Sequence, residues 1–217
     1  MEKQQANEHP GSRELYDRVA TWHPGPLLFS KEFGWERWGL LGVLSDFVLH
    51  YTHGCIVEIG ACETSIFFSA LAEKYGRRAY HCDLQQSIIE NCKTVPGYFG
   101  RNSQTFILPS DEFFVWFKAN VTEPAALVFI DGDHMYEQVR KDFINAVSIL
   151  QKDGFIFLHD TMPPTEEWVG PTRCGTVYKL RREIERDKDF NIFTFPRSAW
   201  DVGLSIVRRA RMGYAGE

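Results

Sequence analysis

The sequence contains no apolar run approaching the ~20 residues that a membrane-spanning helix needs. Its first dozen residues, MEKQQANEHPGS, also lack the apolar centre of a secretory signal. A membrane is therefore not an expected partner. Basic charge is in short supply: 24 Lys and Arg stand against 29 Asp and Glu, a formal net charge of −5. That balance gives no general attraction to a phosphate backbone and sets nucleic acid aside. The basic run RRARM near the end is short and reads as a solvated terminus. The five cysteines include no CxxC pair, which argues against a zinc site, and their odd number argues against a closed disulfide framework. Free thiols in a reducing cytoplasm are the economical expectation, with Cys55 and Cys82 acting as small hydrophobes inside strands.

With 44% hydrophobic and 24% charged residues over 217 positions, the chain suits one domain with a self-sufficient core. The expected division is a tail and lead-in over 1–33, a single domain over 34–210 and a short tail over 211–217. Trp35, Trp38, Leu41, Leu44, Phe47 and Val48 recur at helical spacing and predict a helix over 34–49. Strands and helices then alternate. Strands are expected at CIVEI (55–59), RAYHCDL (78–84), QTFIL (104–108), ALVFID (126–131) and FIFLHD (155–160). Helices are expected at 64–75, near 86–92, at 111–119 and at 135–152, the last closed by Asp153-Gly154 as a C-cap. A loop over 161–175 and a further helical stretch follow. NIFTF (191–195) and GLSIV (203–207) are separated by seven residues, PRSAWDV, too few for a crossover helix, so these strands should pair antiparallel. The fold class is α/β: a doubly wound, mostly parallel seven-stranded sheet with a terminal antiparallel hairpin strand.

Glycine is scarce at a telling place. VEIGACETS (57–65) opens as a nucleotide-binding strand and turn, yet Cys62 and Thr64 stand where further glycines would let a pyrophosphate approach the helix N-terminus. A dinucleotide would meet side chains there. S-adenosylmethionine places no phosphate at this point, so one close-approach glycine suffices. The 25 residues from Glu58 to Asp83 fit one helix between neighbouring strands, and Asp83 at the second strand end can accept both ribose hydroxyls. Polar groups end the other strands as well: Ser110-Asp111, Asp131 and His159-Asp160. Singly, each acid reads as a cap or turn residue; together they outline a site at the carboxyl ends of the sheet.

VEIGACETS, the acid in HCDL, LVFIDGDHMYEQVRKDF, GFIFLHD and GTVYKLRREI together resemble the class I S-adenosylmethionine-dependent methyltransferases over roughly residues 54–207. The resemblance is to the small-molecule branch with IDGDHxY and HD segments, a methyltransferase family 24-like pattern. It implies a Rossmann-like methyltransferase fold and S-adenosylmethionine as cofactor. It places Glu58 and Gly60 toward the methionyl end, Asp83 at the ribose, Ser110 and Asp111 at the adenine edge, and Asp131 beside the reaction centre, with Ala61, Thr64 and Leu84 also among the cofactor-binding residues.

For the chemistry, His134 is the candidate base, since imidazole titrates near neutrality, with Asp131 beside it; His134 alternatively only bonds the turn or caps the next helix. Asp131 and Asp160 can share a divalent cation, with His159 or Asp133 as a further ligand. Related enzymes use magnesium, but an imidazole ligand suits manganese or iron better. The loop 161–175, with Pro163, Pro164 and Trp168, reads as a lid or as a surface connection. Trp35 and Trp38 read as a pocket wall, core packing or a dimer contact. The function expected is methylation, chiefly at oxygen, of a small-molecule acceptor, possible homo-oligomers included. A nicotinamide-dependent oxidoreductase and a non-catalytic S-adenosylmethionine-binding module are the alternatives.

Overall fold

The computed structural model describes residues 34–93, 101–170, 172–195 and 202–210. The tails expected at 1–33 and 211–217, most of PRSAWDV and the side chains of Trp35 and Cys92 lie outside the described residues. Helix α1 (Gly34–Tyr51) leads into β1 (Cys55–Ile59), α2 (Glu63–Tyr75), β2 (Ala79–Asp83), α3 (Gln86–Lys93), β3 (Ser103–Ile107), α4 (Ser110–Asn120) and β4 (Ala125–Ile130). Then come α5 (Tyr136–Ile149), β5 (Leu150–Leu158), α6 (Val177–Ile184), β6 (Phe190–Phe195) and β7 (Leu204–Arg209).

The seven strands form one sheet in the order β3-β2-β1-β4-β5-β7-β6. β1 to β5 run parallel, and β7 pairs antiparallel with both β5 and β6. The doubly wound sheet with an antiparallel hairpin at one edge is therefore present as expected. The winding reverses between β1 and β4, where ligands of such sheets lie.

All residues of β1 and β4 are buried, because helices cover both faces of these central strands. Alternation within each strand divides the core in two. Val57, Ile59, Val128 and Ile130 pack with α4, α5 and α6 on one face. Ile56, Leu127, Phe129 and Phe157 pack with α1 and α2 on the other. The aromatic run of α4 supplies Phe113, Phe114 and Phe117, each buried and each worth roughly 1.5–3 kcal/mol in transfer from water.

Two local expectations are corrected. In α1 the buried stripe is Trp38, Leu41, Ser45, Val48 and Leu49, which puts Phe47 on the opposite face, 58% exposed and in ring contact with Tyr51. At the end of α5, Asp153-Gly154 is not a C-cap. The helix stops at Ile149 and the chain turns directly into β5 at Leu150. The strand bulges there, Ala125 pairing with Leu150 and Leu127 already with Phe155. Gly154 lies in that bulge, where a Cβ would come within 3.0 Å of the Ala125 carbonyl oxygen.

Candidate active site

A cavity of about 1070 Å³ opens at the carboxyl ends of β1 to β5. Its floor at β1 is set by Gly60. With φ at 91°, this residue brings the loop so close to β4 that a Cβ would stand 2.1 Å from the Asp131 carbonyl oxygen. Only glycine combines that φ with that approach.

The loop has few backbone donors to offer. Gly60 and Ala61 both donate N–H to the Cys82 carbonyl, at 2.9 and 3.1 Å. Cys62 donates its N–H to Ser65 Oγ at 3.1 Å. A pyrophosphate requires such donors at the helix N-terminus, so their engagement argues against a dinucleotide. The loop is locked from below by Glu58. Its carboxylate accepts from Thr64 Oγ1 and Ser65 Oγ, each at 2.5 Å, and from His81 Nδ1 at 2.6 Å, with all four side chains buried. This corrects the expected placement of Glu58 and Thr64. Neither lines the cavity: Glu58 is buried and engaged by three internal donors, of which Thr64 is one. The signal for this clamp was the pairing of an acid in β1 with a histidine in β2, one strand over.

Gly60, Ala61, Asp83, Leu84, Ser110 and Asp111 do line the cavity. Burial raises the pKa of Asp83, whose Oδ1 accepts the Gln85 N–H at 2.6 Å. Gln138 and Asp142 of α5 complete this side, and no sequence pattern singled them out because they sit within a helix.

At the other side Asp131, His134, His159 and Asp160 converge. His159 Nδ1 lies 3.0 Å from Asp131 Oδ1 and 3.4 Å from Asp160 Oδ1. His134 Nε2 lies 3.4 Å from Asp131 Oδ1, and its Nδ1 lies 3.2 Å from Asp160 Oδ2 and also bonds the Arg173 carbonyl oxygen. Burial opposes ionisation of Asp131, but the charges and hydrogen bonds of His159 and His134 outweigh it and hold the carboxyl well below its usual range. Burial likewise opposes protonation of His134, yet Asp131 and Asp160 push its pKa up to about 9. Burial raises Asp160, with His159 pulling against it. Asp160 adopts φ of 59°, a strained conformation for a residue with a side chain, at the point where β5 delivers it to the cluster.

One ligand atom each from Asp131, His134 and Asp160 lies within 4.8 Å of the others. Ligands at about 2.1 Å from an ion stand ~3 Å apart when adjacent and ~4 Å apart when opposite, so this set fits a divalent cation with little contraction. Of the earlier ligand candidates, Asp133 is otherwise engaged: its Oδ1 accepts the Met135 N–H at 2.8 Å and starts α5. His159 sits behind the cluster, its ring 5.1 Å from that of Trp38. Trp38 is thus core and backing, not an exposed wall.

The loop 161–175 crosses above, with Pro164, Trp168, Thr172, Arg173 and Cys174 lining the cavity. The Arg173 guanidinium lies 4.8 Å over the Trp168 ring. The far end of the loop is pinned to the turn that carries His134. Thr176 donates its N–H to the His134 carbonyl at 2.7 Å, and Tyr136 donates its N–H to Thr176 Oγ1 at 2.7 Å. Gly175, with φ of 54°, packs where a Cβ would meet the His134 oxygen at 2.1 Å.

Residues 57–161 match the family model described as "Methyltransferase domain". No curated protein matches the chain. Solved structures do. The O-methyltransferase from Bacillus cereus, in complex with S-adenosylhomocysteine, superposes with a TM-score of 0.66 at 12% identity, over 95% of this chain and 94% of that one. The O-methyltransferase TomG from Streptomyces achromogenes, involved in tomaymycin synthesis and solved with S-adenosylmethionine, gives 0.64 at 13% identity, over 95% and 92%. A Podospora anserina methyltransferase bound to S-adenosylhomocysteine gives 0.61 at 14% identity, over 95% and 91%. At these identities the structural likeness speaks for the fold, and the match over 57–161 speaks for the domain. Residues 57–161 are thus similar to a methyltransferase domain, and the chain has the fold of these solved structures.

Proposed function

We propose that the chain transfers the methyl group of S-adenosylmethionine to an oxygen atom of a small-molecule acceptor. The observation that carries this reading is the β1 loop. It has one close-approach glycine, the N–H groups of Gly60, Ala61 and Cys62 are already engaged, and it lies beside the carboxylate at the end of β2. That arrangement suits a sulfonium cofactor with a ribose and refuses a pyrophosphate. The structures with S-adenosylmethionine or S-adenosylhomocysteine named above support it.

In this reading Asp83 accepts from the ribose hydroxyls, Ser110 and Asp111 border the adenine, and Gly60 and Ala61 border the methionyl portion. The reaction is an in-line displacement. An acceptor oxygen bonds the methyl carbon as the carbon–sulfur bond breaks, its hydroxyl proton leaves to a base, and S-adenosylhomocysteine remains. Asp131 and His134 are the residues that hold that proton, at His134 Nε2. The imidazole acts as a base only in its neutral form, and the two carboxylates that hold its proton in the free protein set the charge the site must rebalance. In place of that role as base, His134 could join Asp131 and Asp160 in holding a divalent cation, manganese or iron by the imidazole ligand; such an ion would lower the pKa of a bound acceptor hydroxyl. The 161–175 loop shapes acceptor choice.

Calorimetric titration with S-adenosylhomocysteine and, separately, with NAD tests the cofactor. Saturable binding of the former alone is expected, and binding of NAD alone sinks the proposal. Turnover is then sought with methyl-labelled S-adenosylmethionine over a panel of hydroxylated small molecules.

A further inference from the structure

Six carboxylates line the cavity, those of Asp83, Asp111, Asp131, Asp133, Asp142 and Asp160. Among the described residues a single Lys or Arg lines it with them, Arg173. Its guanidinium pairs with none of the six. It lies 4.8 Å over the Trp168 ring, and among the described residues it makes no hydrogen bond or ion pair. An arginine in an acid-rich cavity commonly neutralises a carboxylate, but here the histidines do so. The charges that lower Asp131 are those of His159 and His134, and the same two act on Asp160. Arg173 is left with five donors and nothing to receive them.

The main chain beneath that guanidinium is fixed. The Arg173 N–H donates to the Gly170 carbonyl at 3.0 Å, and its own carbonyl oxygen accepts from His134 Nδ1. The side chain is therefore rooted at the imidazole that faces the acceptor's proton. Stacking on Trp168 orients the guanidinium plane in advance, so less freedom is lost when it pairs. Its planar fork matches a carboxylate, two N–H groups to two oxygens. Pro164, Trp168 and Val202 add apolar lining on the same side, Val202 being tied to the start of the loop through the Met162 N–H. An apolar body with a hydroxyl at one point and a carboxylate at another meets all three features. The surrounding acids penalise a second negative charge, which favours a carboxylate over a phosphate monoester.

We infer that Arg173 is a specificity-determining residue that binds a carboxylate of the methyl acceptor, and that the acceptors are hydroxylated carboxylic acids. This rests on the methyltransferase reading above. Because its main chain is held to the His134 turn, Arg173 is a fixed anchor for the acid group, and the loop before it is left to fit the rest of the molecule.

The test compares acids with their uncharged isosteres. Wild type and Arg173→Gln, each saturated with S-adenosylhomocysteine, are titrated by calorimetry with 3-hydroxybenzoate, with 3-(3-hydroxyphenyl)propionate and with the primary amide of each. Wild type should bind at least one acid about tenfold more tightly than its amide, as a charge-assisted bidentate pair predicts. Arg173→Gln should bind acid and amide within about twofold, with its affinity for S-adenosylhomocysteine unchanged. The Arg173 side chain is exposed, so the substitution leaves the fold intact. 3-Hydroxyphenyl phosphate should bind wild type more weakly than the preferred acid. A wild type that binds neither acid more tightly than its amide, a glutamine variant that keeps the preference, or tighter binding of the phosphate overturns the inference; where S-adenosylhomocysteine still binds, each leaves the methyltransferase reading standing. Wild type that does not bind S-adenosylhomocysteine overturns both.

Discussion

Glu58 and His81 face each other on adjacent strands, 2.6 Å from carboxylate to Nδ1, with neither side chain exposed. The contact is the centre of a longer chain. His81 Nε2 lies 3.2 Å from Ser69 Oγ, which accepts from Ser103 Oγ at 2.9 Å, while Glu58 also holds Thr64 and Ser65. Strand β3 is thereby tied through β2 and β1 to the loop over the cavity. Glu58→Ala should strip the shared acceptor from three buried donors, each loss worth about 1–3 kcal/mol, and so cost at least ~3 kcal/mol of folding stability. Glu58→Gln, which keeps the shape, should cost less. Urea unfolding measures the loss, and titration of the folded fraction with S-adenosylhomocysteine should show weakened binding. Unchanged stability in Glu58→Ala contradicts the clamp.

Gly60→Ala should be worse for binding than for folding. A Cβ at this position meets the Asp131 carbonyl at 2.1 Å and stands on a backbone with φ of 91°. The loop must then lift from β4, at a cost of about 1–3 kcal/mol in backbone strain. Since the cavity floor moves with it, cofactor affinity should fall at least tenfold. Binding within twofold of wild type would mean that the loop does not touch the cofactor.

Asp142 also makes a prediction about acid and base. Its folded-state pKa is about 6, raised from the ordinary 3.8 by burial, so the folded protein holds this proton at pH values where the unfolded chain has released it. The resulting destabilisation is absent below the unfolded value, grows between 3.8 and about 6, and is fully present above about 6. Its size is on the order of 3 kcal/mol. Asp142→Asn does not titrate there. In the absence of cofactor, the variant should gain stability over wild type as pH rises from 4 to 7, then hold a constant advantage. Urea unfolding across that range checks it; an advantage independent of pH removes the titration of Asp142 as its cause.

A metal-stripped sample should be stabilised by added manganese, with a rise in Tm that grows with concentration, as ligand linkage requires. Asp160→Asn should abolish the rise. Asparagine tolerates the left-handed backbone that Asp160 adopts, so this variant keeps the fold while lowering the charge of the site. A manganese shift that survives in Asp160→Asn places the ion elsewhere.

The sheet and its reversed edge were legible because each depends on chain length and apolar content. Continuous runs such as AALVFI can only be strands covered on both faces, and seven residues between NIFTF and the last strand forbid a crossover. The strand-end acids Asp83, Asp131 and Asp160 were legible for the same reason, since strand ends fix their position. What escaped depends on side-chain direction. Glu58 stands at the right place in sequence to reach a ligand, yet alternation turns it into the sheet, where His81 waits. Asp142 and Gln138 were hidden by an ordinary helical pattern. Gly154 was mistaken for a cap because a glycine after a helix and a glycine in a bulge look alike in one dimension.

The 161–175 loop stands on two fixed feet. At one end Thr161 and Met162 donate their N–H groups to the Gly203 and Val202 carbonyls, at 3.2 and 2.8 Å; at the other, Gly175 and Thr176 grip the turn that carries His134. Such an arch can be rewritten between its footings without disturbing the machinery beneath, so long as the footings themselves stay put. Lineages that exchange one acceptor for another would do so by revising the span from Pro163 to Thr172, and a designer seeking a new acceptor has the same ten letters, and not the strand ends, to work with.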